Sequence, residues 1–397
     1  MRVPLLDLSE QYRVLAEPLR REFDEILAAQ SFILGPKVEE FERALAQHCG
    51  AQHAIGVSSG TDALLAILMA LGIGPGDAVI TTAYTFFATG GCIARVGATP
   101  VFVDIDPATF NISPKALADF LEGRCQRNTE GRLVDAGGRI VRAIVPVHLF
   151  GLCCEMDTIN AIAERFQLTI IEDAAQAIGA EYPAKDGRVR QAGTMSAAGC
   201  FSFYPSKNLG AAGDAGAIVC GDDELAQRLR IFRQHGMEPR YFHHVIGGNF
   251  RIDAIQAAIL KIKLPYLSGW SAARRAVADF YREEFTGRGL THRITLPAEP
   301  YRERGLTNHH IYHQYVIRTP QRDALQKHLT ERGVGSAIYY PLGLHEQKCF
   351  ASLGYRAGDL PETERAARET LALPIYPELK PGMQRAVVDA IAAFFTT

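Results

Sequence analysis

The sequence predicts an α/β fold: a large, mainly parallel sheet of seven strands, followed by a smaller C-terminal α+β unit. Three observations carry this expectation. Short β-rich runs alternate with helical patterns between His53 and Cys220, the signature of strand–helix–strand units. The runs themselves are apolar almost throughout, as strands covered on both faces are. After Arg251 the alternation stops, and a long helical stretch leads into a segment of different character.

The elements follow in order. Leu15, Leu19, Phe23 and Ile26 recur at helical spacing and predict an amphipathic helix near the start. Beyond the Gly35-Pro36 breaker, the predicted strands are His53–Ser58, Asp77–Thr82, Thr99–Asp104, Ile140–Val147, Leu168–Glu172, Gly199–Phe203 and Gly216–Cys220. Helical patterns fall between most of them, at Thr61–Leu71, Phe86–Val96, Ser113–Glu122 and Met156–Phe166. The Gly- and Arg-rich segment Gly123–Arg139 reads as a surface loop. Arg251–Phe285 reads as a long connector helix interrupted by Pro265. Beyond it, His313–Arg318 and Val334–Tyr340 read as strands, and Ala324–Arg332, Pro361–Thr370 and Gln384–Phe395 as helices.

At 397 residues, the prior is two or three domains of about 150 residues each. We place the large domain, with its N-terminal helices, at residues 1–255 and the connector plus small domain at 256–397. A formal net charge of -2 gives no basic footprint for nucleic acid or an anionic membrane, so the expected partners are small molecules or another protein chain. The opening MRVPLLDLSEQY is too short in apolar residues for a signal peptide. The apolar run Ala63–Ile73 falls far short of the ~20 residues that span a bilayer. Eight cysteines show no C-x-x-C pair and read as reduced thiols of a cytoplasmic protein.

Four segments carry chemistry. Asp173, in Glu172-Asp173-Ala174-Ala175-Gln176, ends a predicted strand, and ligands in open α/β sheets bind at that edge. A strand-end acid is more often a cap or a solvated charge, so its company decides. Lys207, in Phe203-Tyr204-Pro205-Ser206-Lys207-Asn208, follows an apolar strand. Most lysines are exposed and idle, but one among apolar groups can lose its proton and attack aldehydes. Ser59-Gly60-Thr61-Asp62 opens a helix whose N-terminus can hold a phosphate, though by itself the segment is simply a good cap. Tyr84-Thr85-Phe86-Phe87 follows the strand DAVITT and can offer an aromatic face to a flat ring, where core packing is the plainer reading. Together they provide an anion cradle, an aromatic platform, a carboxylate and an amine at one sheet edge. That set answers the needs of pyridoxal 5′-phosphate: a phosphate, a stacking ring, a protonated pyridine nitrogen and an aldehyde.

The chain resembles the DegT/DnrJ-type sugar aminotransferases, fold-type-I pyridoxal-phosphate enzymes acting on nucleotide-linked keto sugars. The likeness runs nearly end to end, from P-L-L-D-L through F-I-L-G-P-K-V-E-E-F-E to P-I-Y-P-E-L. It is concentrated in Gly56–Asp62, Tyr84–Ala88, Glu172–Gly179, Phe201–Gly216 and Gly247–Ala258. The resemblance implies that Lys207 forms the Schiff base with the cofactor and that Asp173 pairs with its pyridinium nitrogen. It further implies that Phe86 stacks on the ring, that Gln176 bonds the ring hydroxyl, and that Gly60, Thr61 and Ser202 hold the phosphate. Asn249, in G-G-N-F-R, matches a residue that reaches the neighbouring subunit's phosphate, so a homodimer with composite sites is implied. Phe250 departs from the small polar residue often found beside it. His235, Arg240 and Tyr340 fall in segments that meet substrate in relatives. Tyr339-Tyr340-Pro341 stands where relatives often read H-Y-P.

The implied reaction moves an amino group from L-glutamate or L-glutamine to a nucleotide keto sugar, giving an amino sugar nucleotide for polysaccharide or related biosynthesis. Arg233–His244 leans towards the relatives that act at C3 rather than C4. Relatives with histidine in place of the lysine dehydrate instead, and this chain keeps Lys207. Other readings are a desulfurase on the same scaffold, a non-catalytic cofactor-binding regulator, and a dinucleotide enzyme. The last rests on Gly72-Ile73-Gly74-Pro75-Gly76, which follows a helix and precedes a strand, the wrong order for that fingerprint. His309-His310-x-x-His313 lacks an H-E-x-x-H arrangement and reads as structural rather than metal-binding.

Overall fold

The computed structural model describes residues 1–396. Its centre is a mixed sheet whose main path runs His53–Val57, Gly216–Cys220, Ala198–Ser202, Thr169–Asp173, Ile140–Val145, Asp77–Thr82 and Thr99–Val103. These are the seven strands expected, each within two residues at either end. Gly216–Cys220 pairs antiparallel with both its neighbours, and the other pairings along the path are parallel. Six strands therefore point the same way, and their C-terminal ends share one edge. Gly216 joins that edge from the opposite direction, paired with Val57 and with Ser202.

Alternate side chains leave the two faces of each strand, and here both faces are apolar. Ile55, Val57, Val79, Val145, Ile171 and Ile218 pack into one buried cluster. Ala54, Ile80, Ile144, Ile170, Phe201 and Val219 pack into the other. The helix Gly60–Ala70 covers the first face; Pro36–Cys49 and Ala254–Lys263 cover the second. A separate buried cluster, including Val277, Tyr281, Phe285, Leu325, Val387 and Ile391, holds the C-terminal helices around a two-stranded ladder. That ladder pairs Tyr315–Arg318 antiparallel with Thr370–Leu373.

Three expectations are corrected. Val334–Tyr340 is not a strand: Val334 bridges Val3, whereas Ala337 bridges Ala372. The segment passes from one partner to another before a ladder can form. The strand that pairs there is Thr370–Leu373, of which the sequence reading puts Thr370 at the end of a helix and gives residues 371–373 no element. Gly123–Arg139 is not simply a loop. It contains the antiparallel strands Cys125–Arg127 and Leu133–Asp135, turned by Asn128–Gly131 and attached to the main sheet where Val134 meets Ile140. The predicted strand at His313–Arg318 begins only at Tyr315, because His313 and Gln314 turn into the cavity described next.

Candidate active site

A cavity of about 730 Å³ opens at the shared strand edge, lined among others by Gly60, Thr61, Phe86, Asp173, Gln176, Ser202, Lys207 and Tyr340. Eight residues read from the sequence thus meet in one place. They arrive on five segments, four of them strand ends or the loops just beyond and the fifth carrying Tyr340, which is why widely separated stretches converge.

The floor of the cradle is set by the helix Gly60–Ala70. Ser59 caps it by accepting from the Asp62 N–H at 3.0 Å, a cap that contributes about 1 kcal/mol. The first-turn N–H groups of Gly60 and Thr61 have no intrahelical acceptor. A Cβ at residue 60 would lie 2.8 Å from Ser202 Cβ, so glycine there lets the helix start press against Ser202. This brings two backbone donors and one side-chain hydroxyl to a single spot suited to a phosphate.

Asp173 is buried and tightly held. Its Oδ2 accepts from the Thr89 hydroxyl at 2.8 Å, and its Oδ1 accepts from the Ala175 N–H at 3.1 Å. The Cys200 thiol donates weakly to the same Oδ1 at 3.6 Å. Neighbouring Glu172 faces the other way, fully buried, receiving the N–H groups of Gly193 and Met195 and pairing with His148 at 2.8 Å. Strand alternation therefore gives one acid to structure and the next to the cavity.

Lys207 keeps some surface open to the cavity, yet the surrounding protein strips away enough water to lower its amine to about 8; the charge of Asp173 opposes that shift. The effect is the desolvation of a cation. Lys207 sits in a tight turn, its N–H donating to the Tyr204 carbonyl at 2.8 Å, and the turn is closed by Ala211 donating to Phe203 at 2.7 Å.

Phe86 is 57% exposed although it lines the cavity. Its ring neighbours that of Tyr340, with centroids 6.4 Å apart and planes tilted by 45°. Tyr84 is fully buried and does not line the cavity: its hydroxyl donates to the Tyr339 carbonyl at 2.6 Å and its ring supports Tyr340 edge-on. Gln176 accepts from the Phe150 N–H through Oε1 and donates to the Tyr340 hydroxyl through Nε2, at 2.8 and 3.0 Å.

These features fit pyridoxal phosphate: a cradle that a Cβ would fill, an aromatic face without a partner, a buried carboxylate, and an amine with a lowered pKa. His235, Arg240 and Asn249 do not line this cavity and lie exposed on the surface. Sequence reasoning missed Thr89 and Cys200, which touch Asp173, and His313. His313 lines the cavity, with Nδ1 3.2 Å from Asn208 Oδ1. Asn208 Nδ2 donates to Ile311 at 3.0 Å, so its oxygen is the acceptor and His313 carries its proton on Nδ1. The histidine run was the available signal. His310 instead stacks on Tyr312, with centroids 3.9 Å apart, and His309 pairs with Glu299.

The DegT/DnrJ/EryC1/StrS aminotransferase family matches residues 14–392. The chain belongs to that family. It is similar to a pleiotropic regulatory protein of Geobacillus stearothermophilus, 48% identical over 100% of this chain and 99% of that one. It is also similar to a UDP-N-acetyl-3-dehydro-alpha-D-glucosamine 3-aminotransferase of Acidithiobacillus ferrooxidans, 39% identical over 95% and 94% of the two chains. Among solved structures, DesV of S. venezuelae in complex with a ketimine intermediate superposes with a TM-score of 0.88. It is 37% identical, covering 99% of this chain and 98% of that one. As a member of the DegT/DnrJ/EryC1/StrS family, the protein is a pyridoxal-phosphate-dependent aminotransferase.

Proposed function

We propose that this aminotransferase moves an amino group from L-glutamate or L-glutamine to a nucleotide-linked keto sugar, with C3 favoured as the position of amination. The observation that carries the catalytic part is the convergence of Lys207 and Asp173 on one cavity, the amine at about 8 and the carboxylate buried. The sugar nucleotide as acceptor and the lean to C3 draw support from the Acidithiobacillus relative, a 3-aminotransferase by name. No helix among the described residues is long and apolar enough to cross a membrane, which agrees with substrates taken from solution.

Bound pyridoxal phosphate supplies an aldehyde conjugated to a pyridine ring able to accept an electron pair. Gly60, Thr61 and Ser202 hold its phosphate, and Phe86 covers its ring. Asp173, fixed by Thr89 and Ala175, holds the proton of the ring nitrogen. Gln176, steadied by Phe150 and Tyr340, faces the ring hydroxyl. Lys207 Nζ, lining the same cavity with its proton loosened by burial, would hold the aldehyde carbon as an imine, with loss of water, and would give way to the donor amine. Once free, the same nitrogen would take the proton from the donor Cα and pass it to the former aldehyde carbon, and would run that transfer in reverse when the keto sugar enters. An amine held near neutrality serves both legs, since it neither keeps its proton too firmly nor refuses it.

The test is a screen of amino donors against a panel of nucleotide keto sugars, with the position of the new amine read by NMR. A 3-amino product formed with glutamate or glutamine supports the reading. A protein that keeps the cofactor for binding alone would show its absorbance band without bleaching by glutamate.

A further inference from the structure

Lys263 is a fully buried lysine outside the lining of the cofactor cavity, and nothing in the catalytic scheme uses it. It ends the helix Ala254–Lys263. Its Nζ donates to the Gly210 carbonyl and faces the rings of Tyr12, at 4.8 Å, and Trp270, at 5.8 Å. Burying an ammonium is costly unless it is paired. Here the compensation consists of one carbonyl, two aromatic faces and the more distant field of Glu378, and burial lowers the amine to about 8. An apolar side chain of similar length would fill the same space without that cost. The retained donor therefore points to what it holds.

What it holds is the turn that carries Lys207. Gly210 packs directly on the turn's other limb: a Cβ on Gly210 would lie 2.3 Å from the Pro205 carbonyl oxygen. Tyr12, from the helix Ser9–Ala29, donates its hydroxyl to the next carbonyl, Ala211, at 3.2 Å. Two donors from two helices thus grip consecutive carbonyls at the foot of a closed turn, and Lys207 lies between Pro205 and Gly210. A shift at Gly210 is passed to Pro205 by contact and so to Lys207.

We infer that Lys263, assisted by Tyr12, is a positioning residue that fixes the direction of the Lys207 amine through the Gly210 carbonyl. The inference rests on the reading that Lys207 carries the cofactor. Borohydride reduction of the wild-type holoenzyme, with the labelled lysine located by mass spectrometry, tests that reading separately.

The experiment compares wild type with Lys263→Met, Lys263→Gln and Tyr12→Phe, all as holoenzymes. Four quantities are read: the visible absorbance of the cofactor–lysine bond as a function of pH, the rate of borohydride trapping, the single-turnover rate with glutamate, and the steady-state KM for glutamate. Lys263→Met keeps the volume and loses the donor. It should slow single turnover by ~10- to 100-fold, the scale of a small misplacement of a reacting group, with a displaced absorbance titration and an unchanged KM for glutamate. Lys263→Gln can still donate to Gly210 and should recover most of the rate. Tyr12→Phe should show the same changes in smaller measure, and it decides the matter if Lys263→Met does not fold. Wild-type titration and turnover in Lys263→Met or, in its absence, in Tyr12→Phe would overturn the inference. So would equal impairment of Lys263→Gln and Lys263→Met, which would assign the effect to charge. A fall in thermal stability alone, with the spectrum and rate intact, would make Lys263 structural and likewise overturn it.

Discussion

The hydroxyl of Thr89 donates to Oδ2 of Asp173 across 2.8 Å, and both residues are buried. Thr89 stands in the helix Phe87–Arg95, 84 positions before its partner. Thr85 Oγ1, one turn earlier, lies 3.1 Å from Thr89 Oγ1 and steadies that rotamer. Thr89→Val preserves the shape and removes the donor. A hydrogen bond to a charged group contributes about 1.5–3 kcal/mol, so kcat/KM should fall ~10-fold or more with the fold intact by circular dichroism. Unchanged kcat/KM would show that Ala175 and Cys200 suffice to orient the carboxylate.

Asp173→Asn goes further, because a neutral amide cannot hold the proton on the ring nitrogen. Single turnover with glutamate should drop by orders of magnitude while the cofactor still binds. A wild-type single-turnover rate would leave Asp173 as a strand-end cap.

Lys207→Ala should abolish turnover and leave the fold intact, since alanine has no amine to bond the aldehyde. Wild-type Lys207 gives a pH test as well. A lowered pKa means the neutral, nucleophilic form is reached earlier as pH rises. At pH 7, an amine near 8 is ~10% neutral, against ~0.03% at an ordinary 10.5. Capture of added cofactor by the apoprotein should therefore accelerate as pH rises through about 8 and level off above it. Acceleration that continues past pH 10 would show that burial does not tune this amine.

Much of this arrangement was legible in the sequence, for a physical reason. The seven strands are buried on both faces, so their apolar runs stand out, and the residues just after them mark the edge where ligands bind. Ser202 came only with the family resemblance, whereas Gly60, Asp173 and Lys207 could be placed there from position alone. Thr89 could not, because its meaning depends on a contact with Asp173 that only the packed sheet creates. His313 was visible only as part of a run that reads as structural, and its place in the cavity wall depends on packing that the run does not encode. Val334–Tyr340 has strand-like composition yet splits its bonds between Val3 and Ala372, and composition does not encode that division.

Gly60→Ala tests the cradle. The new Cβ would meet Ser202 Cβ at 2.8 Å, and such overpacking costs about 1–3 kcal/mol. The helix start and Ser202 must separate, spreading the donors that share the phosphate. Cofactor Kd should rise ~10-fold, measured by titration of the absorbance band, while the Lys207 bond still forms at saturating cofactor. An unaltered Kd would place the phosphate elsewhere in the cavity.

The last prediction concerns assembly. Asn249 is exposed and lies outside the cavity of its own chain. It is anchored by a bridge to Gln234, at the base of a segment whose tip leaves Tyr241, Phe242 and Ile246 exposed, Ile246 by 90%. Apolar side chains standing together in water mark a surface that meets another chain. A second copy is the partner we propose, with Asn249 reaching the phosphate in the neighbour's cradle. A phosphate held by a helix N-terminus still has acceptor capacity for an amide donor. Cofactor and dimer would then stabilise one another, because a ligand touching both chains favours the associated state. Asn249→Ala should weaken cofactor retention without removing the bond to Lys207. Lys207→Ala should keep its Asn249 contact. Mixed at limiting cofactor, the two inactive variants should regain part of the wild-type rate, since exchange of subunits creates one site with both residues intact. A monomer by sedimentation at micromolar concentration, fully active, would refute the shared site. A dimer in which mixing restores nothing would confine Asn249 to its own chain and leave the exposed segment as an interface alone.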